Sequence, residues 1–188
     1  MFLGFWRHRA AYRARYGVLA YRQLFFRFVL PFAVVGAAAP VFPFLVGGPS
    51  LLPPALAYGT ATYLLITMAL LEARGREIFW DIEWRAFVYN VFPERGRVVT
   101  AGVFAYLRHP LYSAMIRFAL AVALVRNNAS ALLCAVLVGM GVWLLSAVEE
   151  RDLAQRHPEY AAYRAAVGAF FATNPVRFWR YLVTGQTD

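Results

Sequence analysis

Four stretches of the chain are continuously apolar, and polar or basic segments separate them. The first runs from Leu24 to Val46, the second from Leu51 to Leu71, the third from about Leu111 to Val125 and the fourth from Ser130 to about Val148. Crossing a bilayer takes ~20 helical residues, so the pattern predicts an all-α, polytopic integral-membrane helical bundle of about four transmembrane helices. Pro31, Pro40 and Pro43 predict kinks in the first span, while Pro53 and Pro54 fall in the first turn of the second, where proline is tolerated. "GGPS" at 47–50 and "RNNA" at 126–129 read as tight turns. The third span is short. Its fifteen or so residues after Pro110 give only ~22 Å of helix against a hydrocarbon core of ~30 Å. That places Arg108 and His109 at the membrane edge or below it.

Around these spans the chain divides into an N-terminal interfacial amphipathic arm (1–23), a first transmembrane hairpin (24–71), a cytoplasmic link (72–108), and a second hairpin with a C-terminal helical tail (109–188). In the arm, Phe2, Phe5 and Trp6 are expected to face lipid and the arginines headgroups. The arm lacks the short apolar core and small-residue cleavage site of a signal peptide.

Composition supports membrane residence. Of 188 residues, 61% are hydrophobic, 17% aromatic and 15% charged, more apolar side chain than one soluble core of this size hides. The net charge of +9 comes from arginine alone. A basic chain makes nucleic acid a candidate partner, but these arginines alternate with apolar runs and no nucleic-acid motif accompanies them, so none is expected. The single cysteine, Cys134, excludes an intrachain disulfide framework and a thiolate metal site.

The arginines also orient the chain. Arg7, Arg9, Arg13, Arg15 and Arg22 lie in the arm, Arg74, Arg76, Arg85, Arg95, Arg97 and Arg108 in the link, and Arg151, Arg156, Arg164, Arg177 and Arg180 in the tail, against Arg126 alone in the two short turns. The positive-inside rule then predicts a multi-pass protein of the cell membrane with both termini cytoplasmic.

Chemistry concentrates where the third span begins. In "YLRHPLYSA" (106–114), Pro110 suits a first helical turn, leaving the N–H groups of Leu111 and Tyr112 free beside Arg108 and His109. Such a helix start suits a carboxylate or phosphate; equally, Arg108 could reach headgroups while His109 caps the helix. Glu149 and Glu150 end the fourth span as a carboxylate pair, either solvated or part of a site.

The ordered combination is more specific than its pieces. Thr100, Gly102, Phe104, Tyr106, Arg108, His109, Pro110 and Tyr112, then Glu149, Glu150 and Leu153, then Tyr160 and Tyr163 resemble the isoprenylcysteine carboxyl methyltransferase and phospholipid methyltransferase superfamily of integral-membrane methyltransferases, over 99–171. The resemblance implies S-adenosylmethionine as cofactor and a lipophilic or lipidated acceptor drawn from membrane lipid. It implies that His109 and Tyr112, with the N–H of Leu111, lie against the amino-acid end of the cofactor, that Glu149 and Glu150 bind its ammonium or ribose hydroxyls, and that Tyr160 and Tyr163 cover it. The chain departs from many relatives in carrying Ala114, Phe118, Ala119 and Ala121 where they have glycine.

Arg117 lies outside the resemblance. Helical spacing puts it on the face of Pro110 and Ser113, so with Arg108 it is a candidate catalytic residue, holding an anionic group of the acceptor; the alternative is an ion pair with Glu72 or Glu77. Two other classes fit a helical membrane chain, a reductase using NADPH and a non-catalytic accessory protein of the same fold.

Overall fold

A computed structural model describes the backbone of residues 2–38, 42–91 and 98–187; the side chains of 76–91 and of several residues before 44 are outside the described set. Among the described residues the elements are all helical, with no strand and one isolated parallel bridge between Leu107 and Gly168. Helix α1 is Phe2–Tyr16, and α2 (Ala20–Leu24) passes through a π-helical turn at Phe25–Val29 into α3 (Leu30–Ala38). Then come α4 (Pro54–Val91), α5 (Pro110–Arg126), α6 (Ala129–Arg156), α7 (Tyr160–Ala166) and α8 (Pro175–Thr184).

Prolines open three of these helices. Pro54, Pro110 and Pro175 each occupy the first turn, where a missing N–H leaves no acceptor unserved. The turn between α5 and α6 needs two asparagines. Asn127 takes the left-handed conformation (φ 49°) that asparagine tolerates, and the Asn128 side chain accepts from the Ala131 N–H at 2.9 Å as an N-cap.

Two helices are long and apolar enough to cross a bilayer, α4 over Pro54–Gly75 (22 residues) and α6 (28 residues). Leu132, Leu133, Val136, Leu137, Met140, Trp143 and Leu144 of α6 are exposed, as are Leu56, Leu65 and Ile66 of α4, an outer surface suited to lipid rather than water. α5 has 17 residues and is the short helix expected. The boundary at Leu71 differs from expectation, because α4 runs on to Val91 through the first half of the link. No proline interrupts it before Pro93, Glu72 and Arg76 share helical i,i+4 spacing as do Asp81 and Arg85, and Gly75 costs only about 1 kcal/mol. The expected lipid-facing side chains of Phe2, Phe5 and Trp6 lie outside the described residues. His8 and Tyr12 of α1 are described, and both rings pack on Phe28 in the π turn.

α5 and α6 meet through alanines. Ala119 and Ala123 face Ala131 and Ala135, all buried, so the two backbones approach closely, as small residues allow between membrane helices. Ala119, one of the positions where many relatives carry glycine, serves this packing without it. A second core joins Leu71 of α4, Val103 and Leu107 before α5, Ala114 of α5, and Phe178, Tyr181 and Leu182 of α8. The tail therefore returns to the bundle. Arg74 fastens it there, donating from Nε to the Leu182 carbonyl at 2.9 Å and from Nη2 to the Val183 carbonyl at 2.5 Å, which satisfies the last carbonyls of α8.

Candidate active site

The polypeptide before α5 is extended and lies beside the segment after α7. The N–H of Arg108 donates to the Gly168 carbonyl (2.9 Å) and that of His109 to the Ala169 carbonyl (3.0 Å). Gly168 is required here, since a Cβ on it would overlap the Phe171 carbonyl oxygen. This short pairing brings Arg108 and His109 under α7 and against the end of α6.

Glu150 is the hub of the polar cluster formed there. It is 5% exposed, and its Oε1 accepts from Arg108 Nε at 2.8 Å and lies 3.0 Å from His109 Nε2. Its Oε2 lies 3.0 Å from Arg164 Nε of α7. Arg108 also donates through Nη1 to the carbonyls of Arg164 (2.6 Å) and Val167 (2.5 Å). One carboxylate thus ties three segments of the chain together. Both partners of the Arg108–Glu150 pair are largely buried, and stripping one charge from such a pair costs about 3–5 kcal/mol; the Arg164 contact is more than half exposed and worth much less.

Glu149 is placed differently. Its Oε2 lies 3.7 Å from His109 Nδ1, Tyr112 contributes a side-chain hydrogen bond, and no arginine reaches it among the described residues. Its side chain keeps 24% of its surface open. The His109 ring is stacked on Tyr112 (centroids 5.4 Å) and tilted against Phe170 (5.8 Å), which fixes the imidazole between the two carboxylates.

Over this cluster stand the two tyrosines of α7. Tyr163 donates to the Phe104 carbonyl at 2.7 Å, whereas the hydroxyl of Tyr160, a residue 2% exposed, has no hydrogen-bond partner among the described residues. Their rings meet edge to face at 5.8 Å. Burial, and after it the neighbouring Glu150 charge, pushes the Tyr160 phenol above its ordinary pKa; burial does the same to Tyr163, against the opposing effect of Arg108. Both stay protonated and able to donate at any physiological pH.

Nearly every residue singled out from the sequence is thus brought together: Arg108, His109, Tyr112, Glu149, Glu150, Tyr160 and Tyr163 form one cluster, with the Leu111 N–H at its edge. Arg117 stands apart, one helical turn beyond. Its Nη1 donates to the Ser113 carbonyl at 3.1 Å and to the Ser113 hydroxyl, and the alternative ion pair with Glu72 does not form; Glu77 lies outside the described side chains. Arg164, Gly168 and Ser113 are structural contributors that sequence reasoning missed. Only the position of Arg164 one residue after Tyr163 hinted at the first.

Charged groups gathered at one end of apolar membrane helices define a membrane protein with a polar site at its boundary. The family model for phospholipid methyltransferase matches residues 56–160, more than half of the chain, which therefore belongs to that family of methyltransferases, within the isoprenylcysteine and phospholipid methyltransferase superfamily. The matched segment contains α5, α6 and both carboxylates, and stops at Tyr160. No curated protein and no solved structure matches the chain.

Proposed function

We propose that the protein is an S-adenosylmethionine-dependent methyltransferase acting on a lipophilic acceptor, with its cofactor held among the start of α5, the end of α6 and α7. The observation that carries this reading is the unspent polar capacity of the cluster: an open carboxylate on Glu149 and an unpaired, buried hydroxyl on Tyr160, side by side with a fully engaged Glu150. An unpaired buried hydroxyl costs about 1–3 kcal/mol, and a ligand that bonds it removes that cost.

The residues fit the cofactor's chemistry. Its ammonium and sulfonium favour the Glu149 carboxylate and the aromatic faces of Tyr112 and Tyr163, and its carboxylate favours the Leu111 N–H at a helix start beside Arg108. When bound it supplies an electrophilic methyl group. The protein's share of the work is placement and exclusion of water. Arg108 and Glu150 hold the start of α5 against α6 and α7, so the groups that meet the two reactants keep their geometry. An amine acceptor must also lose a proton, and Glu149 is the carboxylate with an open side to take it.

The same reading carries four spans with both termini cytoplasmic. Two contacts support it. Arg9 of α1 lies 3.3 Å from Asp152 near the end of α6, so the arm and the charged cluster share one end of the bundle. At the other end, Asn127 and Asn128 bond Leu52 and Val46, joining the two turns. Reporter fusions at Ser50 and Asn128 should read outside, and fusions at Arg85 and Asp188 inside; a cytoplasmic signal at Asn128 overturns the topology. For the activity, purified protein is titrated calorimetrically with S-adenosylhomocysteine and with NADPH. Binding of the first alone is the expected result. Binding of NADPH alone makes the protein a reductase, and binding of neither makes it an accessory protein.

A further inference from the structure

Arg117 is 8% exposed and lies within an apolar helix, yet no carboxylate pairs with it among the described residues. A guanidinium at such depth facing lipid costs at least ~2.5 kcal/mol, so its surroundings matter. They are specific. Side chains on a helix lean toward its N-terminus, and the contacts to the Ser113 carbonyl and hydroxyl hold the guanidinium level with Ser113, one turn past His109. The Ser113 hydroxyl in turn donates to the Phe170 carbonyl at 2.5 Å, which sews α5 to the returning tail. The Phe171 and Phe178 rings each lie 5.9 Å from the guanidinium carbon. Phe178 is buried, while Phe171 is exposed on the rim, as is Val176 of α8.

Only Nη1 of this guanidinium has an acceptor among the described residues, leaving Nε and Nη2 as an uncommitted edge. Among the described residues the seam therefore offers a cation with no counter-charge and two spare donors, between aromatic walls, opening at an apolar rim. We infer that Arg117 and Ser113 form an anion seat for the phosphodiester of the lipid acceptor, placing the far end of its headgroup toward His109 and Glu149 while its acyl chains leave past Phe171. A planar guanidinium matches a phosphate with two parallel hydrogen bonds, and the level of Ser113 leaves one helical turn between the anion and His109, a separation suited to a short amine-bearing headgroup. The anion seat deepens the methyltransferase reading by naming what positions the acceptor, but binding at it requires no cofactor.

The test measures lipid binding by native mass spectrometry on the full chain in detergent, without cofactor. The probes are dioleoylphosphatidylethanolamine, oleylamine as a phosphate-free lipophilic amine, and inorganic phosphate as a headgroup without chains. Wild-type protein should prefer the phospholipid over oleylamine by about tenfold or more, the worth of a charge-assisted bidentate contact. Arg117→Met should erase that preference while S-adenosylhomocysteine binding persists. Arg117→Lys, which keeps the charge and loses the planar fork, should retain an intermediate preference; it serves as the variant if the methionine form does not fold. Equal wild-type affinity for phospholipid and oleylamine overturns the inference without any variant, and so does a preference that survives both substitutions. Inorganic phosphate competing as well as the lipid means a free-anion site and overturns the lipid assignment. The two readings fail separately: Arg117-dependent lipid binding without S-adenosylhomocysteine binding leaves the anion seat and removes the methyltransferase reading, and the converse does the opposite.

Discussion

The two ends of the bundle are stitched across by hydrogen bonds in contrasting ways. At the turn end, neutral amides do most of the joining, beside one long contact from Arg126 to the Val46 carbonyl: Asn127 exchanges bonds with Leu52 through both side-chain atoms (2.9 and 2.7 Å), and Asn128 caps α6 while donating to the Val46 carbonyl at 3.2 Å. Each of these amide groups finds a partner. At the doorway end, charges do the joining, and capacity is left over in the Tyr160 hydroxyl and the open side of Glu149. Buried polar groups are ordinarily satisfied, so a closed network reads as architecture and an incomplete one as a place prepared for something else.

Breaking the doorway network at its centre should have the largest effect. Glu150→Gln leaves Arg108 buried without its counter-charge and should lower stability in detergent by about 3–5 kcal/mol, seen as a large fall in the thermal midpoint. An unaltered midpoint would mean that Glu150 is not the joint between the segments. Glu149→Gln should divide the two carboxylates: S-adenosylhomocysteine affinity measured by calorimetry drops by about 1.5–3 kcal/mol while the midpoint hardly moves. Equal loss of binding and stability in both variants erases the distinction between them. At the turn end, Asn128→Ala removes a cap and should cost about 1–2 kcal/mol of stability with no change in cofactor affinity; a change in affinity would show that the ends are coupled. Smallest is Tyr160→Phe, which removes an unpaired hydroxyl. Its midpoint should hold or rise, with cofactor affinity weakened by about 0.5–1.5 kcal/mol. A lower midpoint instead makes that hydroxyl structural.

How far the sequence told this in advance depends on the range of the interaction. The α5 start was legible because Pro110 fixes it locally, and the carboxylates because Glu149 and Glu150 follow an apolar run directly. The continuation of α4 beyond Leu71 was not, because hydropathy reports where lipid ends and says nothing of where a helix ends. Glu150 serving Arg108, His109 and Arg164 together is a matter of three segments meeting, and no spacing along the chain encodes it. The return of α8 over Arg117 was hidden for the same reason, since the i, i+3, i+4 spacing of Phe178, Tyr181 and Leu182 marks an apolar helix face but not what it packs against. Helical periodicity put Arg117 on the face of Ser113, and Ser113 rather than Glu72 is its partner among the described residues.

The ion pair between Arg9 and Asp152 joins residues 143 positions apart. In the order of biosynthesis, α1 emerges before α6 and meets Asp152 only when α6 is nearly complete. At the ~5–20 residues per second of chain elongation, that interval is on the order of ten seconds. Through that interval Arg9 lacks this partner, so α1 gains its contact with α6 late. A chain halted before Asp152 leaves the arm without this anchor.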